Sequence, residues 1–248
     1  MQQAMLWSSR EHDLDFARVY QRKRLYFACK RGLDLAISLS ALIAASPLLL
    51  LIALLVRLDS PGPALFSQER VGLRKSRANG RVSWALCTFT MYKFRTMHQN
   101  SNPSVHQNHM QALIRGRNGE AGPLDTNGHA VNHKLSNDPR VTRVGKVLRR
   151  TSLDELPQLF NVLRGEMSLV GPRPPLLYEV AEYEPHHRRR LGTIPGCIGL
   201  WQVSGWNALD FEEMLRLDLR YIEEQSLWLD AKILLKMVSA VLSGKGGG

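Results

Sequence analysis

The longest run of hydrophobic positions in this chain lies between Leu33 and Leu58, where only Asp34 and Arg57 are charged. Roughly 20 apolar residues suffice to cross the hydrocarbon core of a bilayer, so the run can enter a membrane. It lies too far from the N-terminus, and is too long, for the core of a signal peptide. Ser46-Pro47 stands at its centre, where proline removes one helix hydrogen bond and kinks the rod. Both flanks are basic: Arg22, Lys23, Arg24, Lys30 and Arg31 before it, and Arg57, Arg70, Arg74, Lys75, Arg77 and Arg81 after it. A spanning helix would carry one of these flanks outward, against the positive-inside rule. A re-entrant hairpin bent at Ser46-Pro47, with arms of ~12 residues or 18 Å, keeps both flanks on one side. The Ser46 hydroxyl is placed to satisfy a carbonyl that Pro47 frees. Spanning helices also tolerate proline, so it is the flanking charge that favours the hairpin.

Elsewhere the pattern alternates between helical and strand periods. Ahead of the apolar run, Phe16, Val19, Tyr20, Leu25, Tyr26 and Phe27 interleave with basic residues, as in an amphipathic segment on an anionic surface or in a solvated helix. Ser60-Pro61-Gly62-Pro63 breaks the chain, the residues from Ala64 to Gln68 are a short strand candidate, and Val82 to Met97 reads as a strand. Period-2 alternation there sets Lys93 and Arg95 on one face, a pair able to grip a phosphate or simply to be solvated. Residues 98–137 are rich in Asn, Gly, His and Ser and read as a loop with a short helix near Met110–Ile114. Ser152 and Glu155 have the S-x-x-E spacing of a capping box, and Leu156, Leu159, Phe160 and Leu163 follow at helical spacing. That predicts a helix whose first turn holds Asp154 and Glu155, in a field that suits carboxylates and phosphates. Complementing the helix dipole is the ordinary reason for two such acids. Residues Met167 to Val170 read as a short strand entering a stiff loop, where Arg173 between Pro172 and Pro174 is pre-organised as a phosphate clamp. Helices are predicted over 210–224 and 227–242, the second with an apolar face for the core or for lipid.

Charge and composition narrow the classes. The 248 residues hold 33 Lys and Arg against 22 Asp and Glu, a net charge of +11. That excess suits nucleic acid, an anionic membrane face or a phosphorylated substrate. No nucleic-acid motif accompanies it, and nucleic-acid binding would leave the apolar run unexplained. Cys29, Cys87 and Cys197 form no short-spaced pair, which argues for a reducing compartment and against a structural zinc site. His106, His109, His129 and His133 lack an H-E-x-x-H arrangement and are not read as metal ligands.

Taken together, the motifs resemble those of the bacterial sugar transferases, the monotopic polyprenyl-phosphate phosphoglycosyl transferases. The resemblance runs from about Lys23 to Leu242 and rests on many short matches in one order. They include Lys30 to Asp34, Ser46-Pro47, Asp59 to Pro63, Phe66 to Gly72, Lys93 to Met97, Asp138 to Gly145, Leu148 to Pro157 and Met167 to Pro174. It implies a helix-rich α/β fold: a re-entrant membrane hairpin plus a small cytoplasmic domain with short strands and interfacial amphipathic helices. The division expected is a basic amphipathic segment at 1–31, the hairpin at 32–58, a cytoplasmic catalytic domain at 59–242 and a disordered tail at 243–248. Asp154 is similar to the family's nucleophile, which attacks a nucleoside-diphosphate sugar (a UDP-sugar is expected) and is discharged by polyprenyl phosphate. Glu155 matches the second member of that dyad. Mg²⁺ is the implied cofactor, on Asp154 and Glu155. Lys93, Arg149 and Arg173 match basic positions that hold phosphates, with Arg95 beside them. The implied setting is the bacterial inner membrane with the catalytic domain facing the cytoplasm, in envelope glycan synthesis. Its partners are membrane lipid and no nucleic acid, and a homodimer stays open.

The chain also departs from the pattern. Gly205-Trp206-Asn207 stands where the family has Gly-Arg-Asn, and Trp206 could stack on a base or sugar instead. Cys197-Ile198 replaces a common Ile-Thr. A non-catalytic membrane adaptor is the alternative class, and it would need neither Asp154 nor Mg²⁺.

Overall fold

The computed structural model describes residues 20, 23–78, 81–99, 107, 110, 111, 114, 140–204 and 209–242. Helix α1 (Arg24–Asp59) is 36 residues long and contains Pro47. It begins at Arg24, ahead of the boundary expected at residue 32, because Leu25, Tyr26 and Phe27 continue its apolar pattern into the basic flank. The backbone stays helical through Pro47, so the two expected arms form one continuous helix. Pro47 lacks the N–H that would bond Ile43, and the Ser46 hydroxyl donates to that Ile43 carbonyl at 2.8 Å. One stripe of α1 is buried: Phe27, Lys30, Asp34, Ser38 and Leu42, then Ile52 and Val56. The other faces point outward, with Ile43, Leu50 and Leu58 exposed at 66 %, 74 % and 74 %. Such a surface is abnormal in water and ordinary in lipid.

Both ends of α1 dock on one folded body. Near its start, the Lys30 ammonium meets Asp230 at 2.7 Å, and Asp34 Oδ1 accepts the Leu169 N–H at 3.1 Å. Near its end, Ile52 and Val56 pack with Phe94 and Leu148. The body is built on an antiparallel hairpin, β1 (Leu65–Ala78) with β2 (Arg81–Phe94), in register from Leu65–Phe94 to Ala78–Arg81. β1 is far longer than the pentapeptide predicted, and β2 stops short of Met97. The expected short helix is present in part, since residues 107, 110, 111 and 114 are helical.

Helix α2 (Arg143–Thr151) is capped by Thr142, whose hydroxyl accepts from Gly145 N. A Cβ on Gly145 would stand 2.2 Å from the Thr96 carbonyl, so only glycine lets α2 press against the end of β2. A 3₁₀ turn (Leu153–Glu155) then leads into α3 (Gln158–Arg164). Asn161 is fully buried and ties α3 to β2, accepting from Tyr92 N and donating to Thr90 O. Arg31 caps the other end of α3 by donating to the carbonyls of Val162 and Leu163. β3 (Ser168–Val170) and β4 (Gly196–Ile198) pair in parallel. Between them come α4 (Leu177–Ala181) and a 3₁₀ turn (His187–Leu191). The predicted C-terminal helices are α5 (Phe211–Glu224) and α6 (Leu227–Leu242). Val162, Met167, Val170, Tyr221 and Ile233 close the core against Phe89 and Met91 of β2.

Candidate active site

Asp154 and Glu155 are not in the first turn of the α-helix that follows, α3, but in the 3₁₀ turn ahead of it. Ser152 takes the left-handed conformation (φ 56°) and ends α2, its N–H donating to the Arg149 carbonyl, and it precedes the 3₁₀ turn without a side-chain cap. Pro157 opens α3 without a side-chain cap. The expected capping box is therefore a C-terminal cap, and the carboxylates ride on the short turn between two helices. A left-handed residue at the end of a helix reverses the chain. The turn is thereby carried against β2. Asp154 is only 8 % exposed, whereas Glu155 is reached by solvent.

Cations converge on this turn from four elements. Arg173, in the loop between β3 and α4, approaches Glu155 at 3.4 Å with both side chains partly exposed. Arg149, in the last turn of α2, is oriented by donating to the Thr96 hydroxyl at 3.0 Å. Lys93, on β2, is half-buried. Removal from water, then the charges of Arg70 and Arg173, lowers its ammonium to about 8, while Asp154 pulls the other way. The fourth is Arg70 of β1, which sequence reasoning counted as a flanking charge and within a motif but not as a site residue. Arg70 is 4 % exposed and donates to the Pro174 carbonyl and to Gln68, both at 2.9 Å. Burial, then the charge of Arg173, lowers it to about 10. Among the described residues its Nε has no hydrogen-bond partner. The signal available in the sequence was an arginine inside the Phe66–Gly72 motif, next to a strand candidate.

Two carboxylates among four cations leave positive field unspent, and an anion is what such a site binds. Arg95 stands apart: its guanidinium is held by the carbonyls of Val56, Ser60 and Pro61. β2 ends at Phe94, so the alternation that placed Arg95 beside Lys93 no longer applies, and Arg95 locks the end of α1 instead. Ser46 and Pro47 lie mid-helix on α1, away from this group. Trp206 lies outside the described residues, as do the four loop histidines and the tail.

As metal donors, Asp154 and Glu155 offer hard oxygens, the ligand type Mg²⁺ takes alongside substrate phosphates. Among the described residues the one group with three ligand atoms within 4.8 Å is elsewhere, at His186, His187 and Glu212. There His187 Nδ1 accepts the Glu184 N–H, which leaves the proton on Nε2 to donate to Glu212 at 3.0 Å. A ring so satisfied is a structural histidine.

A carboxylate pair ringed by cations sits on a body that carries an exposed apolar helix. The chain belongs to the bacterial sugar transferase family, whose profile matches residues 25–244. Among relatives, it is 39 % identical over 229 residues to the galactosyl transferase CpsE of Streptococcus agalactiae, covering 90 % of this chain and 44 % of the relative. It is 38 % identical over 237 residues to the undecaprenyl-phosphate galactose phosphotransferase of Salmonella typhimurium, covering 95 % and 45 %. The exopolysaccharide production protein ExoY of Sinorhizobium fredii is 38 % identical over 217 residues, covering 88 % and 87 %. The chain thus spans less than half of the first two relatives and most of the third.

Proposed function

We propose that this chain transfers a sugar-1-phosphate from a nucleoside-diphosphate sugar, a UDP-sugar by preference, to polyprenyl phosphate. The convergence of Lys93, Arg70, Arg149 and Arg173 on the Asp154–Glu155 turn carries this reading, together with relatives whose names specify such transfer. An Asp154 carboxylate oxygen attacks the β-phosphorus, and the bond to the bridging oxygen breaks. UMP leaves with the electron pair, and the phosphosugar remains on Asp154 as an acyl phosphate. An oxygen of polyprenyl phosphate then attacks the same phosphorus and returns the carboxylate. Arg173 and Lys93 spread the charge that develops on the phosphoryl oxygens. Arg70 works indirectly, by fixing the loop that carries Arg173. Mg²⁺, held by Asp154 and Glu155 with the donor phosphates, would supply charge neutralisation.

The same proposal seats the protein on the cytoplasmic face of the inner membrane, with α1 entering and leaving by that face. Three observations support the hairpin: both ends of α1 engage one body, both flanks are basic, and Ser46 takes up the carbonyl Pro47 frees. α6 fits an interfacial position, with Trp228, Leu235 and Val238 exposed and Lys232 over the Trp228 ring. The product of such a reaction initiates an envelope glycan. The test is direct: purified protein, Mg²⁺, a panel of nucleotide sugars and polyprenyl phosphate should yield nucleoside monophosphate and a polyprenyl-diphosphate sugar. Binding to anionic vesicles without any turnover would favour the adaptor reading instead.

A further inference from the structure

The open end of the β1–β2 hairpin presents an aromatic ring for which the phosphate chemistry has no use. Phe66 and Lys93 are direct partners across the two strands, so their side chains leave the sheet on the same face. Gln68 and Arg70 share that face on β1, and Met91 and Phe89 share it on β2. The Lys93 ammonium lies 5.3 Å from the centre of the Phe66 ring, within cation–π range. Met91 and Phe89 are buried, but Phe66 is 40 % exposed. Arg95 binds the end of α1 to the start of this hairpin, through Val56, Ser60 and Pro61 and through its N–H to Ala64. Leu54, Leu55, Leu58 and Leu65 are exposed as well, so apolar side chains stay outside along the chain from α1 to Phe66.

We infer that Phe66 is the platform on which the first isoprene units of the acceptor rest, with the acceptor phosphate directed to Lys93. This deepens the transferase reading and rests on it. Polyprenyl phosphate is an anion joined directly to an apolar branched chain. Lys93, which feels the charge of Asp154, and Phe66 offer a cation set directly against an apolar ring. The charge of Lys93 fixes which end of the acceptor faces inward, and exposed leucines lead along the chain from α1 to the ring. Phe66 is thus a specificity residue for the second half of the reaction.

The two halves can be measured apart. The full chain in nanodiscs is charged with nucleotide sugar and freed of excess donor, and adduct loss is followed after adding polyprenyl phosphate. Phe66→Ala should slow discharge relative to charging by about tenfold at subsaturating acceptor, and Phe66→Leu should restore most of it. Phe66 is partly exposed, so both variants should keep the wild-type unfolding temperature. Discharge at the wild-type rate would overturn the inference. So would an equal fall in charging and discharge, which would mean that the ring only props up Lys93 or stacks on the donor. A wild-type protein that never charges would remove the transferase reading itself.

Discussion

Lys93 is a lysine whose proton is within reach of ordinary buffers. Burial and the charges of Arg70 and Arg173 hold it at about 8, below the ordinary lysine value. Between those two values the unfolded chain carries a proton that the folded chain has released, so this group makes stability rise with pH across that window. Binding works in the opposite direction, because a phosphate favours the ammonium form. Donor affinity should be flat below pH 8 and fall as pH rises through it, with proton uptake on binding above pH 8. Isothermal titration in two buffers of different ionisation enthalpy would check this, and Lys93→Met should abolish both the pH dependence and the proton uptake. Arg173→Ala separates binding from folding in a similar way. Its pairing with Glu155 is partly exposed and stabilises the fold by at most ~1 kcal/mol. The unfolding midpoint should stay put while the donor KM rises about tenfold or more. An unchanged KM at native stability would take Arg173 out of the site.

Between elements, single polar residues do the joining. Asn161→Leu would leave the Tyr92 N–H and the Thr90 carbonyl without their partner in a buried seam. The expected loss is about 3 kcal/mol, read as a lowered denaturant midpoint with an unchanged slope. These joints are also where sequence reasoning met its limit. The boundaries of α5 and α6 were legible because their apolar periodicity is long and unbroken. The turn bearing Asp154 was not, because a serine three residues before a glutamate reads as an N-cap whichever helix it belongs to. Only the backbone shows Ser152 left-handed and closing α2. β1 was read short because Arg74, Lys75 and Arg77 were counted only as a basic flank, although Asn79-Gly80 is a strong hairpin-turn signal between two potential strands. Arg70 escaped notice as a site residue for a related reason: its role depends on a carbonyl 104 residues away, at Pro174.

Taken whole, the molecule docks both ends of an apolar helix on the body that carries the Asp154–Glu155 turn. A straight helix of this length would measure ~54 Å end to end. Here its first turns meet Asp230 and Leu169, and its last turns meet Phe94 and Leu148 of the same body. The apolar run, its proline and its basic flanks were legible from the residues alone; that both ends dock on one body was not. Single cysteines introduced before Arg31 and after Arg57, on a background without Cys29, Cys87 and Cys197, should react with an impermeant reagent from the same side of the membrane. Reaction from opposite sides would make α1 a span. At the centre of the molecule, Asp154 either carries the phosphosugar or does not. Intact mass spectrometry of the protein with Mg²⁺ and its nucleotide sugar, without acceptor, should show the added mass of one hexose phosphate or its N-acetyl form. That mass should be absent in Asp154→Asn and disappear when polyprenyl phosphate is added. Turnover by Asp154→Asn at the wild-type rate, or wild-type turnover through which no adduct ever forms, would contradict the mechanism.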